Sequence, residues 1–141
     1  IGGVDENIAG AFLMFRGVAM KPEWLEPWIE KVGANCVCIP GNTSCSQNLR
    51  VAIGFAIPEH PKPDFTSVLF VISCKNYESP AGIRMNNEAY TSFPVEREIL
   101  LVEGCGVWVL EVEENVIIDN NHADFSRYNG KVITIVHLFT Q

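Results

Sequence analysis

Ser67-Val68-Leu69-Phe70-Val71-Ile72-Ser73-Cys74 is the clearest β run in the chain and limits the fold more than any other stretch. Branched and aromatic side chains at this density suit a pleated strand better than a helix. Ala11 to Ala19 also reads as a strand of nearly continuous apolar residues, interrupted by Arg16 and followed at once by Gly17. Lys131 to Phe139 closes the sequence as a third run of this kind. None of the apolar runs approaches the length that crosses a bilayer, so nothing here calls for a membrane. A buried strand that carries one arginine must give it an anion or lose heavily by desolvation. Arg16 therefore needs an explanation, and both a structural salt bridge and a snorkelling edge residue remain open for it.

Between these runs the pattern changes. Lys21 to Val32 is amphipathic, with Pro22 suited to a first helical turn and Trp24, Leu25, Trp28 and Ile29 at helical spacing, which predicts a core-facing tryptophan stripe. Pro27 is expected to split or kink this helix, and Gly33 to end it. Asn35 to Pro40 looks like a short buried strand running into the hydroxyl-rich turn Gly41-Asn42-Thr43-Ser44-Cys45-Ser46. Gln47 to Ala56 resumes an apolar pattern that fits helix or strand. Pro58, Pro61 and Pro63 mark an exposed connection, and Asn76 to Pro94 is a long polar segment of the kind that is usually functional or mobile. Ile99 to Val102 and Val107 to Val112, joined by a Glu103-Gly104-Cys105-Gly106 turn, read as a β-hairpin. Asn115 to Asn129 is a polar excursion. About six or seven strands and one or two helices predict a β-dominated α+β fold.

At 141 residues, with 48% hydrophobic and 19% charged, the chain is expected to be one folded domain. A net charge of −7, from 17 acidic against 10 basic residues, with no basic patch, argues against nucleic acid as a partner. The five cysteines (Cys36, Cys38, Cys45, Cys74 and Cys105) match no zinc spacing and no paired framework, so no metal site is expected from them and they read as reduced, mostly buried thiols. Asn42-Thr43-Ser44 is a glycosylation sequon, yet a glycan there would sit on the hydroxyl-rich turn. An unglycosylated, reducing, cytoplasmic setting is expected. No Gly-rich phosphate loop occurs, so any nucleotide would be held by another scaffold.

The stretch Pro94-Val95-Glu96-Arg97-Glu98-Ile99-Leu100-Leu101 places two carboxylates at i and i+2. In an extended strand they leave on one face, an unfavourable pairing that a strand keeps when solvent covers it or when chemistry uses it. Phe15-Arg16-Gly17, then Ser44-Cys45-Ser46 with Val51-Ala52 and Phe55, then Tyr90-Thr91-Ser92-Phe93-Pro94-Val95-Glu96-Arg97-Glu98 follow one another in the order of known motifs. Together they resemble the arginine, Ser-x-Ser and Glu-x-Glu motifs of the mono-ADP-ribosyltransferases, in the arginine-modifying subclass related to clostridial C2-like and vertebrate ecto-enzymes.

The resemblance implies an ADP-ribosyltransferase-like fold of two packed antiparallel or mixed sheets with one or two short helices. It implies NAD as substrate, nicotinamide as product and an arginine-bearing target protein as partner. Glu98 matches the carboxylate that stabilises the ribosyl cation and holds the ribose, and Glu96 the one that engages the acceptor guanidinium. Arg16 matches the phosphate-binding arginine, with Gly17 allowing close approach to the nicotinamide amide. Ser44 and Ser46 match the two serines that order the strand and contact the nicotinamide ribose, with Cys45 in place of the usual threonine. Tyr90 and Phe93 fall where an aromatic residue helps recognise the target. Phe55 could stack on nicotinamide, although its place after Val51-Ala52 favours the core. Many members carry a helical lobe before the arginine strand, where only Ile1 to Gly10 stand here. Hydrolysis of NAD by water, or NAD or partner binding without catalysis, would use the same residues.

Overall fold

A computed structural model describes residues 12–33, 36–38, 43–74, 82–84, 98–101, 106–119 and 123–140. Among them lie β1 (Phe12–Met20), α1 (Pro22–Glu30), β2 (Val37–Cys38), β3 (Thr43–Ser46), α2 (Leu49–Ala56), β4 (Thr66–Cys74), β5 (Gly82–Arg84), β6 (Glu98–Leu101), β7 (Gly106–Ile117), a 3-10 turn at Ala123–Tyr128, and β8 (Val132–Thr140). The three long apolar runs become neighbours at the centre. β4 pairs antiparallel with β1 along its whole length and parallel with β8 from Val68 to Cys74. Buried on both faces, these strands explain why the runs are nearly continuous rather than alternating.

The strand order is β2-β7-β8-β4-β1-β3-β6-β5, one mixed hydrogen-bonded ladder. This corrects two expectations. The two packed sheets are not separate ladders, because β1 and β3 are joined, though only through Phe15 and Ser46. The hairpin expected over Ile99 to Val112 does not form either: β6 pairs with β3 and β5, and β7 with β2 and β8. Adjacency in sequence suggested the hairpin, but the longer ladders that each strand finds elsewhere decide the pairing.

The same connection shows that the sheet is curled. In a flat sheet β6 and β7 would lie about 24 Å apart at ~4.8 Å per strand, whereas the link through residues 102–105 reaches at most about 18 Å. The ladder must therefore bend back on itself. Accordingly, Cys45 of β3 is buried in the same cluster as Val107 and Val109 of β7.

One face of the central strands, with Met14, Phe70, Val136 and Leu138, packs under α1 and β7. The other, with Phe15, Leu69, Val71, Ile133 and Ile135, packs under α2. In α1, Leu25 is buried and Trp28 sits edge-on to Phe70 with ring centroids 5.1 Å apart. Trp24 is 53% exposed, so the tryptophans do not form the predicted core stripe. Its ring meets Phe65 edge-on at 6.1 Å, with the Lys21 ammonium 5.7 Å from its centroid, and these contacts occupy it at the surface. Nor does Pro27 split the helix, which runs unbroken from Pro22 to Glu30. Proline removes the one donor that would reach back to the Glu23 carbonyl, and Glu23 is an exposed residue. Cys36 and Cys38 are exposed, against expectation, because β2 is an edge strand; Cys45 is buried as expected.

Candidate active site

Residues from β1, β3 and α2 enclose a cleft of about 280 Å3, lined by Phe15, Arg16, Gly17, Ser44, Cys45, Ser46, Val51, Ala52 and Phe55. The cleft exists because β1 and β3 touch at a single residue pair and α2 closes over the opening. Arg16 lies beside that pair. Its Nη1 donates to the Ser44 carbonyl oxygen at 2.9 Å, tying the two strands just past their one ladder contact. Among the described residues the guanidinium of half-buried Arg16 thus donates to a backbone carbonyl. A guanidinium fork carries five donors, a geometry that suits an anionic ligand.

α2 is positioned by two nested turns. The Asn48 amide donates to Ser46 Oγ at 2.9 Å, and the Arg50 amide donates to Asn48 Oδ1 at 3.1 Å. The buried Ser46 hydroxyl therefore fixes the exit from β3, and Asn48 caps the helix that follows. Asn48 stands immediately before the apolar-periodic residues, and that placement is the sequence signal that resolves Gln47 to Ala56 in favour of a helix. Replacing Asn48 with Ala is expected to cost about 1 kcal/mol, a fall of roughly 3 °C in Tm for a chain of this size. Thermal unfolding followed by circular dichroism checks it.

Gly17 is required by packing. A β-carbon there would lie 1.6 Å from the Ala52 carbonyl oxygen and 2.8 Å from the Ala56 amide nitrogen. The helix backbone rests directly on the strand at this point, and that contact sets the depth of the cleft. Phe55, expected in the core, is 61% exposed and borders the cleft, because α2 turns Ile53 and Ala56 inward instead. An exposed ring at a cleft edge can cover a planar ligand.

Glu98 enters through backbone register. Phe15 pairs with Ser46, and Ser46 in turn pairs with Glu98, so the three form one row across β1, β3 and β6. Arg16 is the immediate neighbour of the first residue in that row. Sequence positions far apart in the chain thus meet within three adjacent strands. Glu96, Tyr90 and Phe93 lie outside the described residues.

A larger cavity of about 480 Å3 lies on the other flank of α2, bordered by Gly54, Ile57, Arg127, Tyr128 and Lys131 among others. None of the candidate site residues read from the sequence is among those that line it.

No protein-family model and no curated protein sequence matches the chain. Solved structures do. The ADP-ribosyltransferase HopU1 of Pseudomonas syringae superposes with a TM-score of 0.57 at 16% identity, over 91% of this chain and 46% of that one. ADP-ribosyltransferase Vis of Vibrio splendidus, solved in complex with agmatine, gives 0.52 at 17% identity, over 92% and 48%. An ADP-ribosyltransferase of Clostridium botulinum gives 0.54 at 11%, over 94% and 62%. The chain spans about half the length of the first two. The curled mixed sheet and its two helices follow the architecture of these structures: this chain has the ADP-ribosyltransferase fold.

Proposed function

We propose that the chain cleaves NAD and transfers its ADP-ribose to an arginine side chain of a target protein, releasing nicotinamide. The observation that carries this reading is the row Phe15–Ser46–Glu98, with Arg16 beside it at the edge of one cleft, inside an ADP-ribosyltransferase fold. At about 280 Å3 the cleft lies just below the range of small-ligand sites, about 300–1,000 Å3. It takes the nicotinamide and its ribose, while the pyrophosphate lies outward against the Arg16 guanidinium. Phe55 covers the nicotinamide ring.

In the reaction the bond between ribose C1′ and the nicotinamide nitrogen breaks. Its electron pair neutralises the pyridinium and leaves an oxocarbenium-like cation, which the Glu98 carboxylate stabilises. A guanidino nitrogen of the acceptor then bonds to C1′, and the proton it sheds passes to Glu96. Because a protonated guanidinium is a poor nucleophile, the acceptor needs that second carboxylate and water does not. Agmatine, the guanidino compound bound to Vis, supports an acceptor of this chemical class.

The test incubates the chain with NAD and agmatine and compares wild type with Glu96→Gln. Transfer to agmatine is expected to fall by about a hundredfold or more, while nicotinamide release into water continues. Equal loss of both would overturn this division of roles. Nicotinamide release without any adduct in the wild type would make the chain an NAD glycohydrolase, and neither product would leave a binding domain.

A further inference from the structure

On the face of the sheet that carries α2, but outside the cleft, three side chains converge: Glu111 and Glu113 of β7 and His137 of β8. Their donor atoms all lie within 4.8 Å of one another. His137 Nε2 is 2.8 Å from Glu113 Oε1, with the two side chains 23% and 29% exposed. We propose that these residues bind a divalent first-row transition ion of the Zn2+ class, through one imidazole nitrogen and two carboxylates.

The backbone concentrates the three donors. Glu111 is the direct cross-strand partner of His137, whereas the partner of Glu113 is Ile135. In a regular ladder a diagonal neighbour stands about 7–8 Å away. Here the pairing is interrupted on both sides of the trio, between Val109 and Glu111 and again between Glu113 and Val116, where Asn115 adopts φ 57°. Bulges add twist and re-aim side chains. These bracket Glu111-Val112-Glu113, and both carboxylates reach the same imidazole.

Charge favours a divalent ion over a simple ion pair. An imidazolium balances one of the two carboxylates, whereas a divalent cation beside a neutral imidazole balances both. The donor chemistry narrows the ion. Ca2+ takes six to eight oxygens and Mg2+ a near-octahedral shell rich in water. A mixed set of one nitrogen and two carboxylates suits Zn2+ and its neighbours. Tetrahedral bonds of about 2.0–2.1 Å place ligand atoms about 3.3 Å apart. The His137–Glu113 contact must therefore open by about half an ångström, which rotation of a partly exposed glutamate provides. Three protein donors leave the fourth position to water or to a ligand atom.

The test titrates Co2+, a coloured stand-in for Zn2+, into the 141-residue chain carrying Cys36→Ser and Cys38→Ser, since these exposed thiols would compete for the ion. One ion per chain is expected, with visible d–d bands, no thiolate-to-cobalt charge-transfer band, and displacement by Zn2+. His137→Gln should lower affinity by at least about a hundredfold, more than the loss of an outer-shell partner costs. Glu111→Gln, at an exposed position, should weaken binding while leaving the far-ultraviolet circular dichroism unchanged, which separates ligand loss from misfolding. Absence of one-to-one binding, a thiolate signature, or affinity unchanged in both variants would overturn the site and leave an ion pair only. The readout uses no NAD, so it stands or falls apart from the proposed enzymatic activity.

Discussion

Replacing Glu98 with Gln is expected to abolish nicotinamide release and ADP-ribose transfer together, each falling in kcat by about a hundredfold to a thousandfold. In the proposed mechanism the two losses coincide because the carboxylate acts before acceptor and water diverge, at the moment positive charge develops on the ribose. Gln keeps the size and the hydrogen-bonding carbonyl but removes the charge. The KM for NAD should therefore move far less than kcat, as for an interaction made chiefly in the transition state. Release of nicotinamide measured with NAD alone, beside adduct formation with agmatine, gives both numbers. The backbone pairs Glu98 with Ser46, whose own hydroxyl accepts from the Asn48 amide in the turn into α2. A Glu98→Gln variant that keeps its turnover would remove the mechanism.

Gly17→Ala should have the largest effect on stability. The added methyl would fall 1.6 Å from one backbone atom of Ala52 and 2.6 Å from another, and neither can rotate away as a side-chain tip would. α2 as a whole must lift off β1. Overpacking a core usually costs about 1–3 kcal/mol, and backbone contact places this case at or above the upper end. A fall in Tm of roughly 10 °C is expected for a domain of this size. Gly33→Ala is the control. Gly33 has φ 69° with nothing within 4 Å of an added β-carbon, so only backbone strain of about 1 kcal/mol is incurred. Calorimetry on the two variants separates crowding from strain. Similar small shifts in both would mean that helix and strand are not in direct contact at Gly17. Since α2 supplies Val51, Ala52 and Phe55 to the cleft, any Gly17→Ala protein that folds should also bind NAD more weakly.

The central strands are legible in the sequence because their residues answer to burial alone. Ser67 to Cys74 and Lys131 to Phe139 can hardly be anything but strands, and they appear within a residue of the expected ends. Arg16 is legible as an exception, since a lone cation in an apolar strand needs a reason, and Ser46 and Glu98 stand in the same row of the sheet beside it. Pairing cannot be read in this way. β6 and β7 are consecutive and separated by a turn-like sequence, yet they belong to opposite ends of the ladder, and nothing local in either strand encodes that choice. Exposure also departs from expectation where an aromatic sits on a helical face. Trp24 and Phe55 have the spacing of core residues but lie outside it, Trp24 held by surface ring and cation contacts and Phe55 at the cleft. The Glu111, Glu113 and His137 cluster has no cysteine and no short ligand spacing to announce it. Its one sequence signal is the second Glu-x-Glu, in β7, which acquires a histidine only through long-range register.

The position of β8 between β7 and β4 has a consequence for synthesis. As the nascent chain leaves the ribosome, β1 and β4 can pair early, but the other edge of β4 has no native partner until Val132–Thr140 has emerged. Through all the intervening translation, an apolar strand edge is open to other polypeptides, the situation in which chaperones are recruited and aggregates nucleate.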